Sequence, residues 1–324
     1  MPTMKPTKFY WIAASVVAAG ILVLCLLALQ KTRERVESLE NERRFAETRH
    51  GQIEYVTWGN GPTVVAIHGA GGGFDQGRLL ARSLGGDGFR WIAVSRFGYL
   101  GSDLPKNRST AAQAEAISDL LGTLGVERAN ILAMSGGVPP ALKFAEMFPG
   151  KTGRMVLLSS APFTPFGPDI ADRPVPTWVY SVLLGNDVIY WLLTRVARGT
   201  LAEAFDARAE LRLDLSKAER DFVDELIDTF IPASRRIAGI RNEVAAVSPA
   251  ATYDLESILS PVLVVHTEDD RINPFEIGAT ITQRIGRAEF APLETGGHLL
   301  LGHHAELRAK IRKFLGGTAA HSAG

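Results

Sequence analysis

The stretch Asn130-Ile-Leu-Ala-Met-Ser135-Gly-Gly137-Val-Pro-Pro-Ala-Leu142 decides how this chain is read. Asn130 to Met134 is an apolar run of strand length, and a helical pattern follows from Pro139 to Phe148. Between them Ser135 stands on a turn that lifts its hydroxyl to the strand's carboxyl end. Such a turn closes only if the residues two before and two after the serine are small. Ala133 and Gly137 meet that requirement, and Pro139 and Pro140 fall in the first helical turn, where proline is tolerated. The pattern alone fits an ordinary Ser-Gly turn as well as a nucleophile, so the rest of the chain has to decide.

Outward from this turn, short apolar runs alternate with helical patterns. Strands are expected at Ile53–Trp58, Thr63–His68, Phe89–Ser95, Arg154–Ser159, Val262–Thr267 and Glu289–Leu293, with helices at Ala111–Leu124, Phe275–Ile285 and Ala305–Leu315. Strands apolar on both faces and separated by helices predict an α/β fold, a mostly parallel sheet flanked by helices, with its chemistry at the strands' carboxyl ends. From 161 to 251 no strand pattern appears. Aromatic helical runs there, such as Trp178-Val-Tyr180 and Tyr190-Trp191, read as an all-helical cap over the site, the alternative being a separate helical domain.

Three further loops carry chemistry. His68-Gly-Ala70-Gly-Gly-Gly73 follows a strand, and its glycines allow backbone N–H groups to approach an anion. A dinucleotide loop is the rival, but Phe74 stands where its third glycine would fall, and the next strand ends in Ser95-Arg96 instead of an acid. A serine nucleophile needs a base oriented by a carboxylate. Of the seven histidines, His298 in Glu294-Thr-Gly-Gly-His298 follows the last strand and is free to reach the sheet edge. His68 and His266, at strand ends, read as structural imidazoles, and His303 and His304 as the start of the last helix, facing solvent or capping it. Glu268-Asp269-Asp270 follows Val262–Thr267 and supplies the acid. Three acids in a row exceed what the following helix's dipole asks for. The order Ser135, Asp270, His298 is one known arrangement of a nucleophile, acid and base. A metal at His298 and His303 lacks a neighbouring acidic or thiol ligand, so no metal and no cofactor is expected.

These loops together resemble the α/β-hydrolase superfamily over Gln52 to Leu315. His68-Gly-Ala-Gly-Gly-Gly is similar to its oxyanion loop, Arg96-Phe-Gly-Tyr-Leu-Gly-Ser102 to the next turn, Ala133-Met-Ser-Gly-Gly137 to its nucleophile elbow, His266-Thr-Glu-Asp-Asp270 to its acid turn and Gly296-Gly-His298 to its histidine loop. Ala133 and Thr267 stand where glycine is commoner in the family. The resemblance implies catalysis by Ser135, Asp270 and His298, with Asp269 as the alternative acid, and an oxyanion hole from the backbone N–H groups of Ala70 and Gly136. It implies an esterase-like or lipase-like serine hydrolase acting through an acyl-enzyme. Prolyl peptide and carbon–carbon bond hydrolysis stay open, as does a non-catalytic membrane-tethered binding protein, against which the intact trio argues. Trp178, Tyr180 and Trp191 are the candidate wall for a small apolar ester.

Composition frames this. The chain has 324 residues, 46% hydrophobic, with 35 basic and 35 acidic residues. Zero net charge excludes a nucleic-acid partner, which needs a basic excess, and a single cysteine excludes a disulfide framework. Residues 9–29 carry no charge and at about 1.5 Å per residue cover roughly 30 Å, the thickness of a bilayer core. They read as a single transmembrane helix. A cleaved signal is disfavoured by the length of the run and the lack of a small-residue cleavage site. Basic residues flank both ends, and their count leans toward a cytoplasmic body while leaving the side open. The division expected is a transmembrane segment over 1–30, a charged helical stalk over 31–50, the α/β core over 51–160 and 252–317, the cap over 161–251 and a flexible tail over 318–324.

Overall fold

The computed structural model describes residues 6–166 and 185–316, with side chains from residue 10 onward. Its centre is an eight-stranded sheet: β1 (Arg44–Thr48), β2 (Gly51–Trp58), β3 (Thr63–Ile67), β4 (Arg90–Val94), β5 (Ala129–Met134), β6 (Thr152–Leu158), β7 (Val262–Thr267) and β8 (Ala288–Leu293). The spatial order is β1-β2-β4-β3-β5-β6-β7-β8. β1 and β2 are antiparallel, as are β2 and β4, and the remaining pairs are parallel. All seven strands expected from sequence, β2 to β8, pair in this parallel block or at its border, and β5, which carries the serine turn, lies inside it.

The strands stay in the sheet because both faces are covered. In β7, Val262 and Val264 enter one apolar cluster while Leu263 and Val265 enter the other. In β5, Ile131 and Ala133 divide from Leu132 and Met134 in the same way. This period of two splits each strand between two helical layers. Removing a fully buried leucine from such a position, as in Leu132→Ala, costs about 2–5 kcal/mol.

The helices are α1 (Pro6–Glu42), α2 (Phe74–Leu80), α3 (Thr110–Thr123), α4 (Val138–Met147), α5 (Asp187–Val196), α6 (Arg198–Ala204), α7 (Lys217–Asp228), α8 (Ile237–Asn242), α9 (Phe275–Arg284) and α10 (His304–Leu315). α3 starts where the Ser109 hydroxyl accepts the Ala112 N–H at 3.2 Å. A capping box between Ser216 and Glu219 starts α7. Among the described residues between β6 and β7 there is no strand, and α5 to α8 occupy that interval.

The segment 31–50, expected as one solvated helix, differs. α1 continues to Glu42 and then gives way to the edge strand β1. β1 escapes a pattern reading because Ala46 alone of its five residues is buried. From Ala28 onward α1 also packs on the body: Ala28 and Leu39 are buried, and Arg43, just past its end, pairs with Glu54 at 3.5 Å. From Tyr10 to Leu27 the helix is largely exposed, with Trp11 75% exposed, and by length and composition it is long and apolar enough to cross a membrane.

Candidate active site

Ser135 follows β5 directly with φ +50°, a conformation that costs a side-chain-bearing residue about 1–2 kcal/mol and persists only when its surroundings impose it. The imposition comes from close backbone packing. A Cβ on Gly137 would lie 2.5 Å from the Ile67 carbonyl oxygen and 2.6 Å from that of His68, so only glycine fits. A Cβ on Gly69 would lie 3.2 Å from Ser135 Cβ, which puts the glycine loop directly against the serine. In that loop Gly69 N–H donates to Gln76 Oε1 at 2.9 Å and Gly71 N–H to the Tyr99 hydroxyl at 3.3 Å. Ala70 between them is exposed, and Gly136 is buried.

Asp270 and His298 meet across two loops. His298 Nδ1 lies 2.9 Å from Asp270 Oδ2, while Asp270 Oδ1 accepts the backbone N–H of Ile272 at 2.8 Å and of Asn273 at 2.9 Å. Burial pushes the Asp270 carboxyl up, but the His298 charge and hydrogen bonds from His266 and His298 outweigh it and hold the group well below the usual carboxylate range. For His298 burial pushes the imidazole down. The Asp270 charge and hydrogen bond, with the Asp206 charge, reverse that and raise it. A proton on Nδ1, shared with Asp270, leaves the Nε2 lone pair as the basic site. Asp269 does not face the imidazole. Its Oδ1 accepts the Gly297 N–H at 2.8 Å, and its carboxylate pairs with Arg208.

Several further residues, not expected to take part, reach the site. His266 was expected to be structural, yet its Nε2 lies 3.2 Å from Asp270 Oδ2, and the i,i+4 spacing of the two is the signal that was available. Asn273 donates from Nδ2 to the Ser159 carbonyl at 2.9 Å and reaches Ser135 Oγ at 3.4 Å, linking the acid turn to the serine. Ser159 Oγ donates to the His298 carbonyl at 2.8 Å. From the insertion, Asp206 Oδ2 accepts the His298 N–H at 2.9 Å; its carboxyl is raised by burial against the pull of the Arg271 and His298 N–H donors.

Glu243 also comes from the insertion. It takes Arg96 Nη2 at 2.5 Å and the Tyr99 hydroxyl, and its Oε2 is 2.6 Å from where a Cβ on Gly136 would lie. A carboxylate therefore sits beside the residue that follows Ser135. Arg96 is fixed from behind, its Nε donating to the His68 carbonyl at 3.0 Å and its backbone N–H to His68 Nε2 at 3.0 Å. His68 is buried, and burial with the Arg96 charge drives its pKa well below the ordinary imidazole value, consistent with its acceptor role.

Trp191 packs with Tyr190, Phe230, Ile231, Ala233 and Ala28 at the junction of the insertion and α1. Trp178 and Tyr180 lie outside the described residues. His304, expected at the surface, is buried, with Nε2 2.9 Å from the Leu299 carbonyl and its ring edge-on to Phe222. Among the described residues no group of three or more His, Cys, Asp and Glu side chains is arranged to hold a metal.

Against this geometry the chain was compared with known proteins. The model of a family described as alpha/beta hydrolase fold matches residues 62–305. A 2-hydroxy-6-oxononadienedioate/2-hydroxy-6-oxononatrienedioate hydrolase of Pseudomonas putida is 27% identical over 81% of this chain and 92% of its own length. A 2-hydroxy-6-oxo-6-phenylhexa-2,4-dienoate hydrolase of Comamonas testosteroni is 25% identical over 76% of this chain and 84% of its own. Among solved structures, an alpha/beta hydrolase fold protein from Nakamurella multipartita superposes with a TM-score of 0.75 at 25% identity, covering 85% of this chain and 99% of that one.

Proposed function

The chain belongs to the alpha/beta hydrolase fold family and is a hydrolase, and from that premise we propose that it is a membrane-anchored serine hydrolase of small apolar carboxylic esters. The observation that carries the reading is the 2.9 Å contact from His298 Nδ1 to Asp270, whose turn reaches, through Asn273 Nδ2 at 3.4 Å, the hydroxyl of a serine held at φ +50° on a strand-to-helix turn. As Ser135 Oγ attacks the ester carbonyl carbon, its proton passes to His298 Nε2, and Asp270 stabilises the imidazolium that forms. Negative charge collects on the carbonyl oxygen, met by the N–H groups of Ala70 and Gly136. Collapse expels the alkoxide, which takes the proton from His298. Water then loses a proton to His298 and attacks the acyl carbon, releasing the acid and restoring Ser135.

Carbon–carbon bond hydrolysis is the second reading. It is favoured by the relatives, whose names describe substrates with a 6-oxo group and no ester. Turnover of 4-nitrophenyl esters of rising chain length, set against 2-hydroxy-6-oxo-6-phenylhexa-2,4-dienoate, separates the two. Faster turnover of the dienoate overturns the ester assignment.

The anchor is α1, crossing a bilayer through residues 9–29, its bare apolar surface supporting this part of the reading. Extraction of membranes with alkaline carbonate tests it. A protein released to the supernatant contradicts the anchor, and protease access to tagged termini then fixes the side.

A further inference from the structure

We propose that Arg35 is a positioning residue for the glycine loop, which makes the N-terminal helix part of the active-site framework as well as a tether. The proposal rests on the serine hydrolase reading for its catalytic consequence.

Other ion pairs between α1 and the body are peripheral ties, Glu40 to Arg235 at 3.0 Å and Glu42 to Arg78. Arg35 is different. Its Nη2 donates to Asp75 Oδ2 at 2.6 Å, and the Asp75 side chain is only 2% exposed. The same carboxylate accepts Arg236 Nη2 at 2.8 Å and Nη1 at 3.2 Å, and Arg236 is wholly shielded from solvent. Arg236 Nη1 in turn donates to the Gly72 carbonyl at 2.6 Å. Gly72 closes the glycine loop through its N–H to the Gly69 carbonyl at 3.3 Å, and Gly69 is the residue packed on Ser135. Four contiguous groups therefore connect the helix to the loop that presents the Ala70 N–H, and they come from α1, α2, the insertion and the loop itself.

There is little slack in this chain of contacts. A Cβ on Gly73 would lie 2.9 Å from Arg236 Nη1 and 2.4 Å from Leu100 Cδ1. The segment carrying Arg236 is held by the Arg235 carbonyl, which accepts the Leu100 N–H at 2.7 Å, and by Gly239 N–H donating to the Gly98 carbonyl at 2.9 Å. With Arg236 confined on that side, the position of the Asp75 carboxylate sets where its guanidinium meets Gly72. Arg35 Nη2 shares Oδ2 of that carboxylate with Arg236 Nη2, and so helps to fix where it lies. Without it Asp75 turns toward Arg236 alone, and the Gly72 carbonyl loses its fixed donor geometry.

The test uses the full-length protein in detergent micelles, comparing wild type, Arg35→Gln, Arg35→Lys and, as a docking control, Glu42→Gln. Hydrogen exchange is read on a peptide spanning residues 69–76, together with kcat, KM and inhibition by a trifluoromethyl ketone, which forms a tetrahedral adduct with a serine. Arg35→Gln is expected to speed exchange in that peptide, to lower kcat about tenfold with KM nearly unchanged, and to weaken the inhibitor by a similar factor. Arg35→Lys recovers most of each effect, and Glu42→Gln shows none. Exchange in Arg35→Gln no faster than in Glu42→Gln overturns the proposal, whether or not the protein turns over an ester. Faster exchange with unchanged kcat and inhibition overturns the catalytic half alone. A wild type inert toward ester and inhibitor contradicts the hydrolase reading, with the exchange comparison still deciding the role of Arg35.

Discussion

His266 Nε2 lies 3.2 Å from Asp270 Oδ2, both side chains fully shielded from solvent, so the carboxylate that faces His298 is held between two imidazoles. Backbone N–H donors from Ile272 and Asn273 complete its shell. An ionised carboxylate this deeply buried is stable only with such partners.

Replacing the acid is therefore expected to cost more than a hydrogen bond. Asp270→Asn removes the charge that stabilises the imidazolium and allows the wrong tautomer, and kcat should fall by about 10⁴-fold. His298, raised in the native protein, must be neutral to act as base, so activity is lost as pH falls through its pKa. In Asp270→Asn that acidic limb should move to lower pH. The pH profile of kcat/KM checks it.

The same carboxylate should shape acid stability. Because Asp270 is depressed in the folded state, its contribution is full above the unfolded value of about 3.9 and is lost as pH falls through it toward the native value. The raised His298 adds stability that is full only below its unfolded value of about 6.5, so the gap between wild type and Asp270→Asn, measured by urea unfolding, should be widest between about pH 4 and 6 and should narrow below about pH 3.9. A gap that keeps widening below about pH 3.9 would contradict the assignment.

Among the described residues Glu243 is the acid that pairs with Arg96, so truncating it strands that charge. Arg96 is almost fully buried, so Glu243→Ala should destabilise the protein by about 3 kcal/mol, at the low end for a broken buried pair because Glu243 keeps some solvent contact. Glu243→Gln, which preserves acceptor geometry, should cost less. Denaturant midpoints of the two variants report the difference.

Gly137→Ala tests the serine turn itself. Its methyl group would meet the Ile67 and His68 carbonyl oxygens, neither of which can yield without moving β3. Labelling of Ser135 by a fluorophosphonate should slow at least a hundredfold, on the scale expected for about 1 Å of misplacement, while circular dichroism shows whether the sheet survives.

How much of this was legible in the chain follows from burial. β5 and β7 were readable because both of their faces are apolar, Ser135 and Asp270 because each follows such a strand, and His298 because its glycine loop follows the last strand, β8, although only Ala291 of that strand is buried. α2 was missed, being seven residues long with Gly77 in its middle, where the backbone of Ala66 comes too close for comfort to a larger side chain. Asp206 and Glu243 had no sequence signal at all. They lie in helical and turn segments of the insertion, and only the way that segment folds back brings one to the His298 N–H and the other to Arg96. Trp191, chosen for its aromatic character, packs at the foot of α1 because a large apolar ring is stabilised as well by a core as by a pocket.

The central claim is that Ser135 is a nucleophile activated by His298. Its most direct measurement is fluorophosphonate labelling of the full-length protein, with the modified peptide identified by mass spectrometry. The account predicts one adduct, on Ser135, absent in Ser135→Ala and strongly slowed in His298→Ala. A folded wild type that takes no label, or a Ser135→Ala variant labelled as fast as wild type, would contradict it.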